Sequence, residues 1–281
     1  MSHSVFKALV SDPVRMIAGL WKRRDLVRQF TRRSIELRHR GSRLGAIWAL
    51  INPLSMLVLY YFVFGVLYGT HFRDPATETP FDVLLAMFLG LSLFHAFSET
   101  LSWAPGVITS NPNFVKKVVF PLEVLPLAQI GAATFHLGIS LVLILAGSVF
   151  STDGLSWTAL WLPVFVLPLL LLSLGTAWLL AALGVFIRDI GQLSAFVVTV
   201  LLFASAAMFP AARIAEKSER LWQLLQYNPV LQIIDLARSV VLWHEPLSPD
   251  RLGYVYATSI AVFVCGAVFF SLLRKSFAEV I

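Results

Sequence analysis

The sequence predicts an all-α polytopic membrane protein. It has six transmembrane helices, an amphipathic N-terminal helix on the inner membrane surface, a short cytoplasmic helix, and outer re-entrant helices between spans five and six. Three observations predict this class. The 281 residues are 58% hydrophobic and 14% charged, with a mean hydropathy of +0.78, whereas soluble domains carry roughly 25% charged residues. Several apolar runs reach about 20 residues, enough to cross ~30 Å of hydrocarbon at 1.5 Å per residue. The basic residues are distributed unevenly, with eleven of them ahead of the first apolar run.

The expected spans are 46–68, 83–103, 124–150, 160–187, 190–209 and 252–273. The fourth and fifth are separated by only Arg188 and Asp189 with Gly191 close behind, which predicts a tight helical hairpin, since backbone polar groups cannot stay unpaired in lipid. Two units follow: a cytoplasmic amphipathic segment over 1–45 and a six-span domain over 46–281.

Orientation comes from charge. Lys7, Arg15, Lys22, Arg23, Arg24, Arg28, Arg32, Arg33, Arg38, Arg40 and Arg43 precede the first span, opposed only by Asp12, Asp25 and Glu36. The positive-inside rule places this segment in the cytoplasm. Alternation then puts Lys116, Lys117, Arg188, Arg274 and Lys275 inside, with both termini cytoplasmic. In the outer segment, 210–251, acids balance the bases. No cleavable leader is expected, because the first apolar run is too long and too far from the N-terminus. The net charge of +6 is therefore mostly the N-terminal segment and not a nucleic-acid signature. That segment interleaves its bases with Val14, Ile17, Leu20, Trp21, Leu26, Val27, Phe30, Ile35 and Leu37 at helical spacing. Two readings fit it: a plain topology signal, or an interface helix that also frames a partner.

The loop between spans two and three places Asn111 before Pro112, an N-cap followed by a first-turn proline, and ends its pattern at Pro121. A short helix over 112–119 is expected across the cytoplasmic face. It offers Asn113, Phe114, Val115, Lys116, Lys117 and Val118 as an apolar knob among basic neighbours. Docking of a soluble partner and a simple surface connector are both compatible with it. On the outer side, 213–225 reads as amphipathic, Tyr227-Asn228-Pro229 breaks it, and 230–243 is apolar but interrupted by Asp235 and Arg238. A run of ~14 residues suits a re-entrant element better than a span. Trp222, Tyr227, Asn228 and Pro229 are the candidate outer gate.

Polar groups within spans are costly and default to function. His95 and Glu99 are four apart on span two and share a face; a proton relay and a hydrogen-bonded cluster facing the interior or a pore both fit. His136 reads as a satisfied interior residue. Gly131, Gly138, Gly175 and Gly184 read as sites of close helix approach, and Cys265 as a small buried apolar residue. No catalytic residues and no metal site are expected. The GxxxxGK[ST] loop is absent, so no ATP should bind to this chain in that manner. An active transporter of this kind must take its energy from a separate ATPase.

The stretch Leu37-Arg-His-Arg-Gly-Ser-Arg-Leu-Gly-Ala-Ile-Trp-Ala-Leu-Ile-Asn-Pro-Leu54 resembles the approach to the first span in type-2 ABC exporter permeases. More narrowly it is similar to the polysaccharide and polyol-phosphate export group (Wzm, TagG and KpsM). Lys116-Lys117, Phe120-Pro121, Glu123 and Leu125-Pro126 resemble that group's coupling helix and third-span start. Arg188-Asp189 resembles the end of its fourth span, and Tyr227-Asn-Pro229 with Asp235-Leu-Ala-Arg238 its outer re-entrant region. The group often has Tyr where His39 stands and an aromatic residue where Leu236 stands.

The resemblance implies a transmembrane subunit of an ATP-driven exporter that moves a lipid-linked, O-antigen-like polysaccharide across the bacterial cytoplasmic membrane. Its partners would be a second copy of the chain, two cytoplasmic ATPase subunits holding ATP and Mg, membrane lipid and the glycan. The 112–119 helix would couple to the ATPase. Arg38, Arg40 and Arg43 would meet the lipid pyrophosphate, a ligand suited to arginine, although setting orientation accounts for them equally well. A pore for a sugar polymer needs broad, weakly holding walls. Tyr61, Phe64 and Tyr68 on one helical face, with Phe94, Phe97 and Glu99 on span two, are its candidate lining. An exporter of a drug or small lipid, a proton-driven secondary transporter using His95 and Glu99, and a polytopic transferase are the alternatives.

Overall fold

The structure, a computed structural model, describes residues 14–39, 47–116 and 120–280. The described residues form helices, turns and loops, with no strand among them. A helix over 14–22 (α1) leads into α2 (Arg24–His39). The bundle follows as α3 (Trp48–Tyr60), α4 (Pro80–Trp103), α5 (Pro112–Val115), α6 (Val124–Ser148), α7 (Leu162–Phe186) and α8 (Ile190–Ala204). Then come α9 (Ala212–Lys217), α10 (Glu219–Leu225), α11 (Pro229–Ala237), α12 (Pro249–Leu273) and α13 (Phe277–Val280).

Among the described residues five stretches are long and apolar enough to cross a membrane: Leu50–Leu67, Pro80–Gly106, Val124–Ser148, Trp157–Phe186 and Pro249–Ser276. The expected fifth span, 190–209, is shorter than anticipated. α8 has 15 residues, about 22 Å. It stops where Ala206 takes a positive φ of 51°, a conformation that few non-glycine residues adopt. The first span is also irregular. After Tyr60 it continues over Tyr61–Leu67 as a π-helix, whose wider turn shifts every ring relative to α-helical spacing.

α4 is the central helix, buried from Val83 to Leu101 almost throughout. α3, α6, α7 and α8 pack around it. Its start is fixed by a reciprocal cap: Thr79 accepts from the Asp82 backbone and Asp82 accepts from the Thr79 backbone. Asp82 also accepts from the Thr152 amide (3.0 Å) and hydroxyl (2.5 Å), so the α6–α7 loop is fastened to the same cap. α7 and α12 form the closest helix pair. A Cβ on Gly266 would lie 2.0 Å from the Gly175 carbonyl oxygen. Without a hydrophobic drive between helices in lipid, such backbone contact is a main source of association. Gly131 and Gly184 likewise sit against Thr31 and Pro105, whereas Gly138 faces open space and makes no such approach. Cys265 is exposed, not buried. It lies beside Val264 and one turn from Ile260 and Phe269 on the outward side of α12, and the inward side is occupied by Gly266 and Phe270.

The 213–225 segment folds as two helices, because Ser218 is extended between α9 and α10. α11 is enclosed: Leu231, Ile233, Ile234 and Ala237 have no exposed surface. It packs against α4, α7 and α12. The two charges that interrupt this run are both matched. Asp235 pairs with Arg251 at 2.6 Å. Arg238, 1% exposed, donates Nε to the Ala86 carbonyl (2.9 Å) and Nη1 to those of Ala206 (2.8 Å) and Phe209 (3.4 Å). Its Nη2 donates to the Ala207 carbonyl, and its guanidinium lies 4.6 Å above the Phe72 ring. Gly90 makes this possible, since a Cβ there would come 1.9 Å from Nη2 and 2.5 Å from the Ala207 oxygen.

Two changes test this clamp. Arg238→Met leaves buried carbonyls without a donor, at about 1–3 kcal/mol each, and lowers the thermal midpoint of the purified protein in detergent. Gly90→Ala overpacks the guanidinium by about 1–3 kcal/mol. In the Arg238→Met background it costs less, because the guanidinium clash is gone and the Ala207 carbonyl oxygen is the close neighbour that remains. Equal losses in both backgrounds would show that the two residues do not meet.

Candidate functional site

The basic end of the bundle gathers the N-terminal helices, the α4–α6 connection, the α7–α8 link and the end of α12. α5 begins at Pro112 as expected, but Asn111 does not cap it through its side chain. The Asn111 amide instead donates to the Val107 carbonyl at 2.9 Å, closing the preceding turn. The expected apolar knob is turned inward. Phe114 stacks on Phe120 (4.5 Å between centroids) and meets Phe30 of α2 edge-on at 5.4 Å, while Val115 is buried. With Phe114 and Val115 turned toward the protein, the exposed groups of α5 and its end are Asn113 and Lys116. Lys117 and Val118 lie outside the described residues. So do Arg40, Arg43 and the side chain of Arg38, whose backbone belongs to the last turn of α2.

Sequence reasoning gave Glu123 no role, yet it joins three elements here. It is 3% exposed, directly before α6. Its carboxylate pairs with Arg274 after α12 (3.3 Å) and with Arg23 before α2 (3.9 Å). A lone acid between Pro121 and Pro126, six residues after the Lys116-Lys117 pair, was the available signal. α2 also lies along α6, with Thr31 over Gly131.

Along the bundle, the π-helical turn alters the expected aromatic face. The Tyr61 ring lies over Gly65, 2.8 Å from where a Cβ would stand. Tyr61 and Phe64 are half-buried against the core, and only Tyr68 is well exposed, with its ring stacked on Phe64 at 5.8 Å. Phe94 and Phe97 are 2% and 6% exposed. They are core residues of the protomer and offer no ring face to a pore, because α4 is surrounded on those sides by other helices. Glu99 is half-exposed and shares its face with exposed His95.

At the far end, the candidate gate residues are mostly structural ties. Asn228 caps α11 by accepting from the Val230 amide (3.0 Å) and donates to the Ala204 carbonyl at the end of α8 (3.1 Å). Pro229 is the first residue of α11. The Tyr227 carbonyl accepts from the Tyr254 hydroxyl at 2.6 Å, while its ring is exposed. Trp222 packs against an apolar cluster of Ala206, Ala211 and Leu231. Arg238 and Gly90 went unnoticed as a pair, since they are far apart in sequence. Among the described residues no group of three His, Cys, Asp or Glu side chains is placed to hold a metal ion.

The model for the ABC-2 type transporter family matches residues 25–242. The O-antigen export system permease protein RfbA of Myxococcus xanthus is 26% identical over 266 residues, covering 95% of this chain and 99% of its own. The protein of the same name from Klebsiella pneumoniae is 24% identical, covering 92% and 95%. The polysialic acid transport protein KpsM of Escherichia coli is 26% identical, covering 75% of this chain and 78% of its own. The match runs from the start of α2 through the buried arginine clamp, ending ahead of α12, and the chain belongs to the ABC-2 type transporter family of multi-pass membrane permeases.

Proposed function

We propose that this chain is the membrane half of an ATP-driven exporter that carries a lipid-linked polysaccharide outward across the bacterial cytoplasmic membrane. The observation that carries the reading is the end-to-end likeness to permeases named for O-antigen export. The geometry supports it in three ways. The basic end presents a short helix whose exposed groups, Asn113 and Lys116, suit the surface of a soluble ATPase. That helix is continuous, through Phe30 and Glu123, with α2 and the end of α12. α3 and α8 leave large apolar faces exposed, including Val58, Leu59 and Phe62 on the first span and Leu193, Phe196 and Val200 on α8. Lipid or a second copy of the chain would cover these faces.

In this reading two copies enclose the path and each binds one ATPase subunit that holds ATP and Mg. Both termini are cytoplasmic. The α8 end, α11 and the turn between them form a re-entrant element at the outer mouth, fixed by Arg238. Arg38, Arg40 and Arg43 receive the pyrophosphate of the lipid carrier, and Tyr68 with Phe64 offers ring surface to sugar.

Two experiments test the proposal. The chain is co-expressed with its neighbouring ATPase subunit and the complex purified in detergent. Lys116→Glu with Asn113→Asp is expected to abolish co-purification or to uncouple ATP hydrolysis from substrate. Glu123→Gln is expected to leave assembly intact while reducing the stimulation of hydrolysis, because α2 and α12 are no longer tied to the α5 connection. A chain that never binds the ATPase would overturn the proposal. In cells, alanine at Tyr61, Phe64 and Tyr68 together should slow the appearance of surface glycan while the protein stays folded. Unchanged export would remove these rings from the path.

A further inference from the structure

We infer that His95, Glu99 and Ser102 form a polar track on α4 that faces the transport path and hydrogen-bonds the hydroxyl groups of a polyhydroxylated permeant. The inference rests on the export reading above and deepens it by assigning the contact line.

The carrying observation is an exception within the most enclosed helix of the protein. Between Val83 and Leu101, His95 is the one exposed residue, and only Leu84 and Glu99 are half-buried. Glu99 follows His95 by four residues, and exposed Ser102 follows His95 by seven, so the three share one face over about 10 Å. The same face continues to exposed Gly106, toward the basic end. The neighbours of α4 explain the opening. α3 packs on α4 and α6, and α8 packs on α4 and α7. The uncovered side of α4 therefore lies between α3 and α8, and both of these helices carry exposed apolar residues.

A histidine displayed in mid-span is not tolerated against hydrocarbon; such residues face bundle interiors or water-filled cavities. His95 is displayed outside its own protomer, which leaves a hydrated path between copies as its setting. The chemistry of the track fits a hydroxyl-rich chain. A neutral imidazole offers one donor and one acceptor, a carboxylate accepts, and the Ser102 hydroxyl, which donates to the Ser98 carbonyl at 3.0 Å, accepts through its lone pairs. Repeated at one-turn intervals, these groups can exchange partners with successive sugar hydroxyls without fixing a register. An apolar drug or lipid would gain nothing from them.

The test uses the complex with its ATPase subunit, in membrane vesicles, with Cys265→Ser as the parent because that thiol is exposed. His95→Cys and Ser102→Cys are expected to react with a charged, membrane-impermeant thiosulfonate about tenfold faster than Val142→Cys. Val142 is an exposed apolar position on α6, where lipid suppresses the thiolate. Polymer trapped in the complex should slow the labelling. In cells, His95→Phe should reduce surface glycan by about threefold to tenfold, the range of a lost hydrogen bond, and His95→Gln should restore much of it. Labelling at 95 no faster than at 142, or a disulfide between two copies at position 95, would overturn the track in favour of a lipid-facing or copy-sealing surface. If the parent itself exports no glycan and binds no ATPase, the export reading fails instead. Normal export with an unreactive track defeats only this inference.

Discussion

A backbone that turns back inside a helical bundle must find partners for its carbonyl oxygens without help from water, and the far half of this protein depends on how that is done. α8 ends early, and residues 206–209 leave carbonyls pointing into the interior. A single guanidinium answers them. It can do so because its five donors radiate in one plane. It also reaches the Ala86 carbonyl of α4, so the end of α8, the start of the 238–242 turn and the central helix share one ion. A lysine at this position could satisfy fewer of the groups and would not stack on Phe72. Gly90 is the complementary requirement, since any side chain there would occupy the space that the ion needs. With this cluster in place, α11 is held as an enclosed element and α12 can begin against it through Arg251, Gln232 and Asp235.

The basic end solves a different problem with different chemistry. Three segments distant in sequence converge on Glu123, a carboxylate almost free of solvent exposure. Burying a charge is unfavourable unless it is paired, and here two arginines share the role. The phenylalanine cluster of Phe30, Phe114 and Phe120 seals the same junction with apolar surface. The middle of the bundle, by contrast, is joined by small residues that let backbones touch, as at Gly175 and Gly266.

Much of the architecture was legible because bilayer crossing imposes a simple periodic demand. Composition alone separated this chain from soluble proteins, and the apolar runs located the helices to within a few residues. Faces were harder. The Tyr61, Phe64 and Tyr68 face was drawn on an α-helical wheel, whereas the turn over Tyr61–Leu67 is π-helical and leaves Tyr61 and Phe64 half-buried with Tyr68 exposed. Hydrophobicity does not report the period of a fully apolar segment, so nothing local announced the change. Phe94 and Phe97 were misplaced for a related reason: an aromatic ring on an apolar span suits a core and a channel equally. Cys265 shows the reverse error, since in lipid an apolar residue has no preference for the inside. The Arg238 clamp and the Glu123 junction were illegible because each joins segments more than a hundred residues apart, and the sequence shows only that charges occur in awkward places.

Those awkward charges nevertheless carry the most information about how the protein works. Asp235, Arg238 and Glu123 interrupt apolar or proline-bounded segments, and each is matched by a partner within the protomer. His95 stands apart, because it is exposed near the middle of a span whose other residues are largely buried. Polar residues that organise a fold are drawn inward and covered. One that the fold leaves uncovered, on its best-covered helix, is unexplained by stability. The inferred track assigns it a contact outside the protomer. The two ends of the bundle are fastened by buried ions, at Arg238 and Glu123, and the central helix between them is uncovered along one polar stripe.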